Sequence, residues 1–304
     1  MLLKRRHRSG LYTTRKLALA GWAFTLPFLI FFFVFTILPV LDAVRLSFTD
    51  HDLVSPGSFV GFKNYFDLFT DDDVFVIALK NTLVFALIVG PTGLLLSFLF
   101  AWIISQMRFK TGLALAFYAP SITSSIALSS VWLYFFSSDR YGFFNQLLYS
   151  LGLISSPILW TTDPQYILTV VMIISLWMSM GTGFLTFLAG LQNISEELYE
   201  AGDIDGVRNK FQQLIYITLP SMRPQLLFGV INAVASSFGT FDIGVAVAGI
   251  PSPDYAAHTL VTHLYDHAFL QFEMGYASAV AVFLFVLMIV SNKAVGKLLR
   301  AVGH

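Results

Sequence analysis

Long runs of hydrophobic residues, separated by shorter polar connections, dominate the pattern along this chain. Six runs are near or above the ~20 residues that an α-helix needs to cross a bilayer. They lie at about 19–42, 77–105, 112–136, 165–191, 217–248 and 275–296. None shows the alternation of a membrane β-strand, and a helix satisfies all of its backbone polar groups inside lipid. The pattern therefore predicts an all-α membrane protein with six transmembrane helices.

The polar connections carry structure of their own. Two of them contain the sequences FVGFKNYFDLF and YGFFNQLLYSLGL, which are typical of short amphipathic helices on the outer membrane surface. The interval 195–217 predicts a helix–turn–helix on the other side. Ser195 followed by acidic residues is a helix start, and Gly202 and Gly206 permit a tight turn. The apolar face of the second helix comprises Phe211, Leu214 and Ile215.

Basic residues predict the orientation, because cytoplasmic connections of membrane proteins are rich in Lys and Arg. With the N-terminus inside, 13 of the 18 Lys and Arg residues fall on the cytoplasmic side. They are Lys4, Arg5, Arg6, Arg8, Arg15, Lys16, Arg108, Lys110, Arg208, Lys210, Lys293, Lys297 and Arg300. Both termini are therefore expected in the cytoplasm, as tails of 1–18 and 299–304 around a membrane domain of 19–298.

Composition agrees with lipid as the main solvent. The chain is 56% hydrophobic and 12% charged, whereas soluble domains carry roughly 25% charged residues. Its net charge is zero, which gives no reason to expect nucleic acid as a partner. It has no cysteine, so disulfides, thiolate metal sites and cysteine nucleophiles are excluded.

Helix breakers and small polar residues are concentrated in the third, fourth and fifth hydrophobic runs. Such residues permit close helix packing and also line aqueous paths. Packing explains any single residue, whereas their concentration favours a lined cavity. The hydroxyl candidates for this cavity are Ser121, Ser125, Ser175, Ser179, Ser237 and Thr240.

The charged residues constrain the energy source. Asp42, Arg45, Lys80 and Asp242 all lie near predicted outer helix ends, where a charged group reaches water. The absence of a convincing mid-membrane charge weakens a proton-coupled carrier. The chain has no GxxxxGK[ST] loop, so it does not bind a nucleotide by that device. A stand-alone carrier or channel for a polar solute remains an alternative, although it has no evident use for the helix–turn–helix.

One constellation suggests a metal enzyme. His263, Asp266 and His267 stand at i, i+3 and i+4, similar to the H-x-x-E-H zinc-peptidase motif with Asp in place of Glu, and His258 is a possible third ligand. The segment lies in an outer connection, and the shorter Asp is a poor substitute for Glu. A solvated outer helix without metal is therefore the preferred interpretation, with a membrane metallopeptidase as the remote alternative.

The helix–turn–helix carries a family pattern. Its elements are Glu200, Ala201, Gly202, Asp205, Gly206, Ile217, Leu219 and Pro220. This pattern resembles the EAA loop of ABC-importer permeases, a coupling helix that docks into a cleft on the ATP-binding subunit. The stretches LPFLIFFFVFTILPVLDAVRLSFTD, ALKNTLVFAL and MGYASAVAVFLFVL resemble the sugar-importer branch that includes maltose and glycerol-phosphate permeases, so the likeness covers nearly the whole chain.

Two positions depart from the family pattern. Gly202 stands where the family usually has a second alanine, and ten residues rather than about nine separate Gly206 from Ile217. One extra residue would rotate the second helix by ~100° unless a bulge absorbs it.

The resemblance implies the fold of a type I ABC importer permease in a bacterial inner membrane. It implies that Glu200, Ala201, Gly202, Asp205 and Gly206 face the ATPase. The implied partners are a second permease of similar fold, two ATP-binding subunits that hold ATP and Mg²⁺, an extracytoplasmic solute-binding protein and membrane lipid. This chain itself would bind no cofactor and catalyse no covalent step. A sugar would suit the cavity hydroxyls and nearby rings. These rings are Tyr118, Trp177, Phe238 and Phe241.

Overall fold

The computed structural model describes residues 7–55, 57–179 and 181–302, so Lys4, Arg5 and Arg6 of the predicted N-terminal tail and the last two residues of the C-terminal tail lie outside it. The first half contains α1 (His7–Phe32), α2 (Leu38–Leu46), α3 (Lys63–Thr70), α4 (Asp73–Ser105), α5 (Lys110–Ile122), α6 (Ser125–Phe135), α7 (Phe143–Ser150) and α8 (Pro164–Met178). The second half contains α9 (Thr182–Gln192), α10 (Glu196–Ile204), α11 (Lys210–Gln213), α12 (Leu219–Ser221), α13 (Arg223–Phe238), α14 (Asp242–Ala248), α15 (Leu260–Tyr265) and α16 (Met274–Val302). Single π-helical turns occupy Phe33–Ile37, Leu214–Thr218 and Asp266–Leu270, and a 3₁₀ turn occupies Pro253–Tyr255. The all-α prediction is confirmed.

Five helical segments are long and apolar enough to cross a membrane. Within the described residues they are Lys16–Leu46, Asp73–Ser105, Pro164–Gln192, Arg223–Ala248 and Met274–Lys297. The third predicted span differs, because 112–136 is not one straight helix. It is divided into α5 and α6, whose axes differ by 100° at a break just after Pro120. The two helices make a sixth span only when they are taken together as one bent segment.

Helix α4 is the centre of the molecule. Its N-terminal part packs with α15 and α16 around Phe75 and Leu260, which are both fully buried. Its middle packs against α8 around Phe85, and its C-terminal part packs against α9 around Phe98 and Phe187. Since 33 residues of helix extend ~50 Å at 1.5 Å per residue, α15 and α10 lie at opposite ends of the molecule. We refer to these ends as the α15 end and the α10 end.

Glycine lets the central spans approach each other closely. A Cβ on Gly229 of α13 would stand 2.5 Å from Cζ of Phe187 in α9 and 3.0 Å from Cδ1 of Leu94 in α4. No side chain therefore fits at this position without movement of its neighbours. Small residues at helix crossings are the usual means of close packing in membranes, where lipid gives helices little hydrophobic reason to associate.

Two of the connections at the α15 end are held by buried amides and hydroxyls. Asn145 of α7 is fully buried and makes five hydrogen bonds, including one from Nε1 of Trp160 and two with the backbone of Ile158. Thr82 of α4 accepts a hydrogen bond from the backbone N–H of Leu260 at 2.8 Å. The short helices predicted in the outer connections are present as α3 and α7.

The first span stands apart from this packing. None of the residues in its apolar window is buried, and its contacts with the rest of the chain are made mainly between α2 and α16. Phe24 and Phe28 are among its exposed side chains. An apolar helix with this exposure needs lipid or another apolar surface around it.

Candidate functional site

Helix α10 begins and ends as the sequence pattern indicates. Ser195 is its N-cap, and the Ser195 hydroxyl oxygen accepts a hydrogen bond from the Glu197 N–H at 3.3 Å. Gly206 follows the helix with φ of +92°, a backbone conformation that favours glycine. The Val207 N–H then donates to the Gly202 carbonyl at 2.9 Å, which closes the C-terminal turn.

The two arms of the helix–turn–helix pack through Gly202. This glycine is buried, and a Cβ placed on it would stand 2.5 Å from Cδ1 of Ile217. The arms are also joined by side-chain hydrogen bonds, one between Tyr199 and Thr218 at 3.0 Å and one from Gln213 to Asp203 at 3.0 Å. Gly202, at the family's alanine position, therefore marks the close approach of the two arms.

The extra residue between Gly206 and Ile217 is accommodated by a π-helical turn. Leu214–Thr218 forms this turn between α11 and α12. A π turn contains one residue more than the corresponding α-helical turn, so it absorbs the insertion. The following Leu219–Pro220 step then continues toward α13 without the ~100° rotation that an uncompensated residue would cause.

The side of α10 away from the helical core is open. Glu200, Ala201, Asp205 and Gly206 are exposed in the chain described here. Large apolar residues beside them are exposed as well: the exposed fraction is 88% for Ile204, 65% for Phe211 and 49% for Leu198. Leu214 of the predicted apolar face instead turns inward and packs against α9. A group of large exposed apolar residues marks a surface that contacts another protein or the membrane.

A second feature is a cavity of about 360 Å³ between α4, α5, α8, α9 and α13. Its lining residues are Val89, Gly90, Gly93, Leu94, Ser97, Ser121, Ser175, Met178, Ser179, Gly181, Gly183, Phe187, Gly229, Asn232, Ala233, Ser236, Ser237, Thr240 and Ile243. The volume lies in the ~300–1,000 Å³ range of small-molecule sites. No charged side chain is among these described lining residues.

The structure brings together most of the hydroxyl candidates but not the aromatic ones. Ser121, Ser175, Ser179, Ser237 and Thr240 line this cavity. Ser125 lies elsewhere, where its hydroxyl donates to the Asp242 carboxylate at 3.1 Å.

The predicted rings also lie outside the lining. Trp177 packs edge-on against Trp132, with ring centroids 5.1 Å apart. Phe238 is buried in the cluster around α4 and α16, and Phe241 contacts Tyr265. Phe187 is the aromatic residue of the cavity, and Tyr118 does not reach it.

Other cavity residues escaped the sequence reasoning. Ser97, Gly90 and Gly93 come from the second span, where no path was expected. The signal was their small size at a spacing that places them on one helix face. Asn232 and Ser236 of the fifth span also line the cavity.

The cavity hydroxyls mostly donate to their own helices. Ser179, Ser237 and Thr240 hydroxyls bond to the carbonyls of Leu176, Val234 and Ser236 at 2.7–3.1 Å. Their oxygen lone pairs remain free to accept a hydrogen bond. Ser175 differs, because its hydroxyl is buried without a partner in the described structure. The lining thus presents hydroxyl acceptors to a solute, whereas the unpartnered Ser175 hydroxyl is itself buried.

At the α15 end the histidine motif is arranged differently from its sequence spacing. His263 and His267 meet Asp72, which precedes α4, rather than Asp266. The Asp266 carboxylate instead accepts a hydrogen bond from Gln271 at 3.3 Å. The proposed zinc-peptidase arrangement of His263, Asp266 and His267 is therefore not the cluster that the fold assembles.

Electrostatics at this end are dominated by the Asp72 carboxylate. Burial raises the pKa of Asp72, but the neighbouring His263, the Tyr276 hydroxyl and the Phe75 N–H outweigh it and hold the pKa well below the usual range. Burial lowers the pKa of His258 to about 4, assisted by His263. His258 therefore remains neutral near pH 7, and its ring packs against His263 and Tyr255.

Comparison with known proteins identifies the class. Residues 91–303 match the family described as "Binding-protein-dependent transport system inner membrane component". This match covers more than half of the chain, so the protein belongs to that family of membrane permeases. The prediction of an importer permease is confirmed, and the chain is a transport subunit.

Individual relatives place it among ABC transporter permeases. It is 35% identical to the "Probable ABC transporter permease protein YesP" of Bacillus subtilis (strain 168), over 88% of this chain and 86% of that one. It is 32% identical to the "Arabinooligosaccharides transport system permease protein AraP" of the same organism, over 89% and 85% of the two chains. It is 29% identical to the "Lactose transport system permease protein LacF" of Rhizobium radiobacter, over 88% and 90%.

The fold matches a solved importer subunit. One chain from a bacterial ABC transporter involved in the import of the acidic polysaccharide alginate superposes with a TM-score of 0.79, over 97% of this chain and 99% of that one. The two sequences are 22% identical, so the match establishes the shared fold.

Proposed function

We propose that this permease forms half of the path by which an ATP-driven importer takes up a neutral sugar or oligosaccharide. The observation that carries this proposal is the pairing of an exposed α10 surface with an uncharged, hydroxyl-lined cavity. The second half of the path comes from a permease of similar fold. Two ATP-binding subunits supply the energy, and a solute-binding protein delivers the sugar.

Coupling would act through α10. Its end is held to the neighbouring arm by the Gly202–Ile217 contact and two side-chain hydrogen bonds. A force applied to α10 is therefore passed to the π-helical turn and α13, which lines the cavity. Closure of the ATP-binding subunits would move this unit and alternate the opening of the cavity.

The orientation follows from the partners. The α10 end faces the cytoplasm in this proposal, because ATP and the ATP-binding subunits are there. The α15 end then faces the solute-binding protein. The distribution of Lys and Arg supports this orientation, since 13 of 18 fall on the α10 side of the sequence topology.

The solute class is argued from the cavity and the relatives. Hydroxyl acceptors suit a polyol, whose many O–H groups need partners when water is removed. The absence of charge among the described lining residues disfavours an anionic or cationic solute. The relatives named for arabinooligosaccharides and lactose point to the same class.

The first experiment tests the complex. The full chain is purified from bacterial membranes in detergent, as wild type and as Glu200→Lys plus Gly206→Trp, with Asp139→Lys at the α15 end as a matched exposed charge reversal. Wild type and Asp139→Lys should retain an ATP-binding subunit and a second permease, and the double variant should lose the ATP-binding subunit. Purification of the wild type alone would contradict the proposal.

A second experiment tests the solute class. The complex and its binding protein are reconstituted in liposomes, and ATP-dependent uptake of lactose and arabino-oligosaccharides is compared with uptake of uronate oligosaccharides. Preferential uptake of a neutral sugar supports the assignment. Uptake of the uronates alone would overturn it while leaving the importer assignment intact.

A further inference from the structure

Three side chains capable of binding a metal meet at the α15 end. Asp72 precedes α4, His263 lies in α15, and His267 lies in the π-helical turn that follows. One ligand atom from each lies within 4.8 Å of the other two. Asp72 Oδ2 is 3.0 Å from His263 Nε2 and 3.8 Å from His267 Nε2. The two Nε2 atoms and Oδ2 therefore converge on one point.

His263 is buried without satisfied ring nitrogens. Its exposed fraction is 1%, and neither Nδ1 nor Nε2 has a hydrogen-bond partner among the described atoms. Its Nε2 lies 3.0 Å from Asp72 Oδ2, close enough for an ion pair when the ring is protonated. Buried polar atoms are rarely left without partners, and each such atom needs an explanation. An ion bound to Nε2 would supply one.

The groups around the three side chains hold them in position. Glu273 approaches Nδ1 of His267 at 2.8 Å, which leaves Nε2 of this ring directed toward Asp72. The Tyr276 hydroxyl donates to Asp72 Oδ2, and the Phe75 N–H donates to Oδ1 at 2.8 Å. A carboxylate on the far nitrogen of a histidine is the usual support of a metal-binding imidazole.

The surrounding cavity favours a cation. It has a volume of about 400 Å³ and is lined by Asp67, Asp71, Asp72, Val74, Tyr255, His263, Asp266, His267, Gln271, Glu273 and Tyr276. Five of these residues carry carboxyl groups, and none of the described lining residues is Lys or Arg. Two imidazole nitrogens with one carboxylate oxygen suit Zn²⁺ and similar transition metals. Mg²⁺ and Ca²⁺ prefer oxygen ligands throughout.

We propose that Asp72, His263 and His267 bind one divalent transition-metal ion, for which Zn²⁺ is the best-fitting species. Asp72 Oδ2 and the two Nε2 atoms are the protein ligands, and Glu273 orients His267. The remaining coordination position is left for water. The ion would fasten the connection between α14 and α16 to the start of α4, at the end of the molecule opposite α10.

The test is metal binding by the full-length protein in detergent. The protein is stripped with EDTA, dialysed and titrated calorimetrically with Zn²⁺, with Mg²⁺ as the control ion. One equivalent of Zn²⁺ should bind, and excess Mg²⁺ should not compete. Asp72→Asn and His263→Gln should each weaken binding by at least ~100-fold, and Glu273→Gln by ~10–100-fold, the range for residues that support a ligand.

The matched control is Asp266→Asn. Asp266 shares the sequence motif with the two histidines, yet its carboxylate is directed to Gln271, so this variant should bind Zn²⁺ as the wild type does. Asn at position 72 caps a helix as well as Asp, so the start of α4 is retained. Size-exclusion chromatography verifies that each variant is monodisperse.

A Co²⁺ absorption spectrum gives an independent result. The wild type should show visible bands of nitrogen- and oxygen-ligated Co²⁺, and Asp72→Asn should not. The proposal is overturned if the wild type fails to bind Zn²⁺ in preference to Mg²⁺. It is also overturned if Asp266→Asn weakens binding as much as Asp72→Asn does. The number of Zn²⁺ ions bound per wild-type chain tests the proposal even where a variant fails to fold.

Discussion

Replacement of Gly206 by alanine tests the coupling surface most directly. Gly206 has a φ of +92° at the end of α10, and a Cβ placed there would have no heavy atom within 4 Å. The change therefore introduces no steric clash with neighbouring side chains. Within this chain, its whole effect is the backbone cost of placing an L-residue in the left-handed region.

That cost is about 1–2 kcal/mol for one residue. If the strain is relieved by unwinding the end of α10, the docking conformation becomes less populated by the same free energy. The affinity for the ATP-binding subunit should then fall by about 5–30-fold, since 1.4 kcal/mol corresponds to tenfold. Gly206→Asn should give a smaller loss, because Asn tolerates this region better than Ala does.

Gly202→Ala is the matched control in the same helix. Its Cβ would meet only the Cδ1 end of the Ile217 side chain closely, at 2.5 Å, and this methyl group can rotate away. Alanine also gains up to ~1 kcal/mol of helix propensity over glycine. Docking of this variant should remain near that of the wild type.

The assay is the dissociation constant of the detergent-solubilised permease pair for its purified ATP-binding subunit. The order of affinity should be wild type and Gly202→Ala first, Gly206→Asn next and Gly206→Ala last. The reasoning is refuted if Gly206→Ala binds like the wild type, or if the two alanine variants lose equal affinity.

Three further variants probe the fold and the cavity. Gly229→Ala places a Cβ 2.5 Å from the buried Phe187 ring, so overpacking should cost about 1–3 kcal/mol of stability and lower the Tm in detergent. An unchanged Tm would contradict the close helix crossing. Asn145→Ala removes five hydrogen bonds, including that of Trp160 Nε1. It should destabilise the protein by about 3 kcal/mol or more, since each buried group left unsatisfied costs ~1–3 kcal/mol. Denaturant unfolding measures this free energy, and a loss below 1 kcal/mol would argue against the interpretation. Ser175→Ala removes the unpartnered cavity hydroxyl. It should raise the KM for uptake about fivefold, the equivalent of one hydrogen bond of ~1 kcal/mol, and leave the Tm unchanged. An unaltered KM would exclude Ser175 from contact with the solute.

The start and end of the coupling helix could be predicted from the sequence, because the residues that determine them are close together in the chain. The cap at Ser195 and the tight turn at Gly206 each depend on residues within one helical turn. The sequence predicted a bulge only as one of two alternatives, because a one-residue insertion can also be absorbed by rotation of the helix or in a loop. The structure resolves this choice at Leu214–Thr218.

The cavity was predicted in part. Hydroxyls in the third, fourth and fifth spans were selected correctly as neighbours, since five of the six candidates line one cavity. The aromatic residues were misplaced, because an aromatic side chain in a span packs equally well against protein or lipid, and periodicity does not distinguish the two. Ser125 was displaced by the 100° bend of the third span, which hydropathy does not report.

Hydropathy, the Lys and Arg distribution and the short coupling motif determined the class of this protein, because transfer to lipid and helix termination act on contiguous residues. Only the tertiary structure decided which helices cross at Gly229, which hydroxyls share a cavity and which acid meets the histidines. Sequence spacing favoured Asp266, three residues from His263, whereas packing placed Asp72 there, hydrogen-bonded to Tyr276 at a separation of 204 positions. Such contacts depend on how separate helices pack, and no local pattern in the chain encodes them.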